Sequence, residues 1–168
     1  MNINVGDMPL RIAVYMRLST DKPHQRFLYE RTVEYYRTYI EQHKKWTLVK
    51  IYADEGDGDG LSENMCEFKK MIVDCKSGNI DVIFTKSLSH FANNPSTAVS
   101  KIIQLAELNP PVGVFFEKEG CFSLELNYKL ALHILHLFLE DKRENEERPK
   151  VFSMKYDLMM KRGVQIDR

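Results

Sequence analysis

Four short runs of β-forming residues, each separated from the next by a helix-length stretch, constrain this chain more than any other feature. They are RIAVYM (11–16), TLVKIYA (47–53), IDVIFT (80–85) and VGVFFE (112–117). IDVIFT is almost wholly apolar, the mark of a strand buried on both faces. Between the runs, RFLYERTVEYYRTYIEQHKK (26–45) reads as a helix with apolar positions at Phe27, Val33, Tyr36 and Ile40. Asn64 with Glu67 forms the pattern of a capping box for a helix through Cys75, and Asn94-Pro95 opens another helix through Leu108. Strands alternating with helices predict an α/β fold, a mainly parallel sheet flanked by helices. Ligands of such sheets collect beyond the carboxyl ends of the strands. Arg17-Leu18-Ser19, the 54–63 loop and KSLSHFANN (86–94) therefore fall on one rim.

With 168 residues, 43% apolar and 29% charged, the chain is sized and composed for one globular domain with a real core. Its 24 basic and 24 acidic side chains cancel. A protein that held nucleic acid over its whole surface would be basic, so any such contact must come from a local patch. Cys66, Cys75 and Cys121 are widely spaced, without a CxxC pair. They indicate neither a zinc site nor a disulfide framework, and read as small core residues in a reducing cytoplasm. The N-terminus lacks the pattern of a signal peptide, and no stretch approaches the ~20 apolar residues of a membrane span. A cytoplasmic location is expected.

The stretch ELNYKLALHILHLFLEDKRENEE (125–147) is apolar around most of its circumference, with Leu130, Leu132, Ile134, Leu135, Leu137, Phe138 and Leu139. A helix of that kind is buried on two sides, which points to a subunit partner, the alternative being a place between a sheet and another helix of the same chain. Pro149 breaks it, and residues 149–168 read as a short tail. The expected organisation is a domain over 9–124, the long helix over 125–148, and the tail. Bland readings hold elsewhere. DEGDGDG mimics part of a calcium loop through Asp57, Asp59 and Gly60, but the position needing a bidentate glutamate is Cys66. His133 and His136 share a helix face without a third metal ligand, and Tyr35, Tyr36 and Tyr39 read as helix packing and surface. No metal or cofactor site is expected.

The three rim segments, in this order, resemble the serine site-specific recombinases, the resolvase/invertase family, and especially the large serine integrases. Tyr15, Arg17, Ser19 and Thr20 match that family's Tyr-x-Arg-x-Ser-Thr strand end, and Asp54, Glu55 and Gly56 match its Asp-Glu-Gly loop. Lys86, Ser87, Leu88, Ser89, His90, Phe91, Ala92, Asn93 and Asn94 align with Lys-Ser-Leu-Ser-Arg-Phe-Gly-Arg-Asn. The resemblance covers roughly residues 10 to 147. It implies a resolvase-like catalytic domain followed by a long oligomerisation helix, acting on DNA as a homodimer or tetramer assembled through 125–147. It also implies chemistry without a metal: Ser19 attacks a phosphodiester, forms a phosphoserine link and releases a 3′-hydroxyl. Arginines stabilise the charge that accumulates on the phosphate oxygens. On this pattern Ser19 and Arg17 are catalytic, and Lys86, Ser89, His90 and Asn93 contact phosphate or DNA.

The departures from the pattern carry their own expectation. His90 and Asn93 stand where the family has arginines, and Met65 stands where a further one is expected. Asp57 and Asp59 add negative charge where a phosphate should sit. Losing one oxyanion-stabilising donor costs on the order of 10²–10³ in rate, so a weakened or inactive recombinase domain is expected. Lys22, His24 and Arg26 are nearby cationic candidates. The alternatives are a non-catalytic partner that regulates the assembly of an active recombinase, and a flavodoxin-like or receiver-type module that holds Mg²⁺ at Asp54, Glu55 and Asp57.

Overall fold

The computed structural model describes residues 8–18, 25–55, 66–92 and 94–125. The strands are β1 (Leu10–Leu18), β2 (Trp46–Glu55), β3 (Val82–Thr85), β4 (Gly113–Phe116) and β5 (Cys121–Phe122). They form one sheet in the order β2-β1-β3-β4-β5. The first four are parallel, and β5 turns back antiparallel along β4. The helices are α1 (Gln25–Glu41), α2 (Cys66–Lys76), α3 (Leu88–Phe91) and α4 (Pro95–Ala106). The predicted α/β architecture is present. The short helix α3 and the two-residue β5 had no periodic signal in the sequence, being too short to show one.

Side chains alternate across a strand, and the sheet therefore carries two cores. Ile12, Val14 and Met16 face α1, where Tyr36, Tyr39, Ile40, Trp46, Phe84 and Phe115 close the layer. Ala13, Tyr15, Ile83 and Val114 face the other way, against Phe68 and Met71 of α2, Leu88 and Phe91 of α3, and Ile102 and Leu105 of α4. Helix α1 stops at Glu41, short of the predicted end at residue 45. Backbone bonds from His43 N–H to Ile40 and from Trp46 N–H to His43 make a tight turn there, which brings Trp46 down beside Tyr39 and Phe84. Phe27, expected on the buried face of α1, is 58% exposed and lies under the guanidinium of Arg31.

One irregularity decides what the rim receives. The pairing of β1 with β2 runs Ile12 to Leu48 and then Ala13 to Lys50, leaving Val49 as an extra residue. A bulge of this kind shifts the alternation by one. Before it, Trp46 and Leu48 face α1; after it, Ile51 and Ala53 do so, and Tyr52 joins the opposite core. Asp54 is thereby delivered to the α2 side of the sheet.

Of the three cysteines expected in the core, only Cys75 is buried, where loss of solvent pushes its thiol up to about 12. Cys66 opens α2 and is exposed, and Cys121 is half-buried. At the amino end of the sheet, Arg11 binds Asp81 through both its Nε (3.1 Å) and its Nη2 (2.8 Å), stapling β1 to the entry of β3. Gly113 is required by packing: a Cβ there would stand 2.2 Å from the Phe122 ring of β5. No helix among the described residues is long and apolar enough to cross a membrane, and these residues hold no His, Cys, Asp and Glu group able to bind a metal.

Candidate active site

In the observed strand order, the chain leaves β1 toward β2 on one side and later returns to place β3 on the other. The connections therefore diverge between β1 and β3, and the crevice beyond their carboxyl ends is where open α/β sheets place ligands. Arg17 is the penultimate residue of β1, and the segment Lys86–Phe91 follows β3. The two therefore stand at neighbouring strand ends, β1 and β3 being paired through Tyr15 and Thr85.

The end of β1 is tied to α2 through a buried carboxylate. Asp54, 5% exposed, accepts the backbone N–H groups of Glu67 (2.9 Å) and Phe68 (2.9 Å). These are the first-turn donors of α2, which no carbonyl within the helix can satisfy, and a carboxylate there also complements the helix dipole. Asp54 further accepts the Tyr15 hydroxyl at 3.2 Å. Burial and the Asp54 charge hold the Tyr15 phenol firmly protonated, with the Arg17 charge opposing. Asn64 of the expected capping box lies outside the described residues; the Glu67 N–H it was to cap is bonded to Asp54 of β2, and the Glu67 carboxylate binds Lys50 (3.2 Å) and Lys70 (2.5 Å).

Beyond β3, Ser87 adopts an extended backbone and caps α3. Its Oγ accepts the His90 N–H (3.3 Å) and lies 2.7 Å from His90 Nδ1 and 2.9 Å from Ser89 Oγ. Glu119, beyond β4, accepts the Leu88 N–H at 3.1 Å. Asn94 caps α4 as predicted, its Oδ1 accepting the Thr97 N–H at 2.8 Å. Ser87 is 1% exposed. It holds the whole segment, and its role was missed because the sequence shows two serines equally and burial alone separates them.

The two rim cations do not share a face. Arg17 continues the alternation of Ala13 and Tyr15 and acts on Tyr15. Lys86 continues that of Phe84, on the α1 side, and its charge acts on Glu117. Glu117 accepts the Tyr36 hydroxyl at 2.6 Å. Its burial raises the carboxyl above its ordinary range, opposed by that hydrogen bond and by Lys86. Such a group stabilises the fold fully below its unfolded value, and the contribution is lost as pH rises through the folded one. Glu117→Gln keeps an acceptor for Tyr36 and removes the buried charge. Its expected effect is a higher Tm near neutral pH, the difference shrinking toward zero as the pH falls into the ordinary glutamate range. Thermal unfolding at a series of pH values checks this, and an unchanged or lower Tm at neutral pH would refute it.

The family model for the resolvase N-terminal domain matches residues 12–150. The chain belongs to the resolvase family. Its resolvase domain has the fold of solved recombinase catalytic domains. A resolvase family site-specific recombinase from Streptococcus pneumoniae superposes with a TM-score of 0.59 at 21% identity, covering 91% of this chain and 99% of that one. The N-terminal catalytic domain of TP901-1 integrase superposes with a TM-score of 0.54 at 18% identity, covering 82% and 99%. No curated protein sequence matches the chain.

Of the residues singled out from sequence, Arg17, Lys86, Ser89 and His90 are placed by this resolvase domain, with Lys86 exposed and the other three half-buried. Ser19, Met65 and Asn93 lie outside the described residues. So do Lys22, His24, the acidic positions 57–60, and residues 126–168, which hold nearly all of the predicted last helix with His133 and His136.

Proposed function

We propose that this chain is the catalytic domain of a serine site-specific DNA recombinase whose strand-cleaving power is weakened or lost. The observation that supports this reading is that Arg17 and the hydrogen-bonded Ser87–Ser89–His90 group stand at the carboxyl ends of the neighbouring strands β1 and β3. Ser19 follows Arg17 by two residues and is the proposed nucleophile. Its hydroxyl oxygen attacks a DNA phosphorus, the 3′-oxygen leaves, and the phosphoserine link conserves the bond for rejoining. Arg17 stabilises the phosphate oxygens, and Ser89, His90 and Asn93 contact the phosphate. Lys86 stands further off, on the Glu117 side. In the proposed chemistry, guanidinium and hydroxyl donors carry the charge stabilisation.

Residues 125–147 are proposed to assemble the domain into a homodimer or tetramer, as a sequence apolar around most of a helix's circumference is buried on two sides. A second reading is a non-catalytic partner of an active recombinase. It is favoured by the residues at the family's arginine positions, of which His90 is the one the structure describes, and it is bonded to Ser87.

The test is a denaturant-resistant DNA–protein adduct, formed with DNA flanking the chain's own coding sequence. A low yield that disappears in Ser19→Ala is expected. An adduct indifferent to that substitution, or none at all alongside tight association with a separate recombinase, would replace the first reading with the second.

A further inference from the structure

The hydroxyl of Ser87 imposes an accounting that links His90 to Ser89. A serine hydroxyl has one proton to give and two lone pairs. The His90 backbone N–H occupies one lone pair at 3.3 Å. One proton and one lone pair remain for two neighbours, His90 Nδ1 at 2.7 Å and Ser89 Oγ at 2.9 Å. Ser87 must therefore donate to one and accept from the other. With His90 neutral and its proton on Nε2, Nδ1 is bare, the bonds run from Ser89 to Ser87 to His90, and the Ser89 proton is spent inside the group. With His90 cationic, Nδ1–H must donate, the chain reverses, and the Ser89 proton is released. Ser87, the centre of the relay, is 1% exposed.

We infer that Ser89 and His90 form an oxyanion-binding pair whose donor capacity is set by the proton on His90. Protonation adds a positive charge and, through Ser87, turns Ser89 from a satisfied donor into an available one. The ligand is a phosphodiester or an equivalent oxyanion at the crevice between β1 and β3. This rests on the reading of that crevice given above and adds a condition to it: the rim holds phosphate well only when His90 is charged. Histidine is the side chain whose charge changes near physiological pH. On the elements packed against α3, the titratable and charged groups toward this end of the sheet are Tyr15 and Arg17 of β1, Cys66, Glu67 and Lys70 of α2, Lys86 beside β3, and Glu117, Lys118 and Glu119 beyond β4. Glu119 is bonded directly to α3 through the Leu88 N–H.

Sulfate is the probe, because its own charge is constant over the range used. Its binding to the full chain is followed by NMR at about pH 5.5 and about pH 8, with the His90 ring signal assigned from its loss in His90→Gln. The expected result is at least about tenfold tighter binding at the lower pH. His90→Arg, which keeps the charge at both pH values, binds tightly at both, and His90→Gln weakly at both. Ser89→Ala loses several-fold at about pH 5.5 and little at about pH 8, a split that a purely structural role for Ser89 would not produce. Equal sulfate affinity at the two pH values, with binding still lost in Arg17→Gln, overturns the proton switch and leaves the anion site standing. Absence of binding at either pH, in His90→Arg as well, overturns both.

Discussion

Met65→Arg, His90→Arg and Asn93→Arg combined raise the yield of the Ser19-dependent DNA adduct by at least about 10²-fold over the unmodified chain. The physical reason is that a phosphoryl transition state here is stabilised by preorganised charge. One such donor is worth on the order of 10²–10³ in rate, and the effects of donors acting on one phosphate are not additive. The combined gain is therefore stated as a lower bound on a single donor's worth, not as a product of three. Position 90 has a framework ready to receive a guanidinium: α3 is anchored by the Ser87 cap and by the Leu88 bond to Glu119. Single substitutions should yield less than the triple, and Ser19→Ala in the triple background should abolish the adduct. A triple variant that folds, by its unfolding curve, yet forms no more adduct than the parent would mean that the fold has lost its chemistry for other reasons. The partner reading would then stand.

Asp54→Ala is expected to be the most destabilising single change at the rim, costing about 2–4 kcal/mol and roughly 10 °C in Tm. Three donors lose their acceptor at once: the Glu67 and Phe68 N–H groups and the Tyr15 hydroxyl. All are at or near the buried core, where an unsatisfied donor bears its full desolvation penalty. Asp54→Asn should fall between the two. Its single carbonyl oxygen can replace one carboxylate oxygen, while its amide presents hydrogens to another donor. Because α2 begins at Cys66, the same substitution should accelerate amide exchange in the first turn of α2 more than in α4. Denaturant unfolding with hydrogen exchange separates the cases, and a loss of less than about 0.5 kcal/mol would show that water replaces the carboxylate.

The four parallel strands and helices α1, α2 and α4 were legible in the sequence for one reason: each rests on local patterning. The apolar run of IDVIFT, the Asn94-Pro95 helix start and the spacing of strands and helices are properties of neighbouring residues. The family resemblance likewise stood on contiguous motifs, from Tyr15 to Thr20 and from Lys86 to Asn94. What the sequence could not determine depends on pairings between distant segments. The extra residue Val49 appears only when β2 is laid against β1, yet it reverses the facing of everything after it and sends Asp54 to α2. The cap of α2 therefore comes from thirteen residues upstream of Glu67, a partner no local capping pattern could indicate. Strand alternation likewise separated Arg17 from Lys86, two cations that look equivalent in the linear chain. Sequence alone determined which residues reach the rim, because local periodicity dictates where strands end. Tertiary structure alone decided which of them meet, because one bulge and the two-sided geometry of a sheet settle which face each side chain serves.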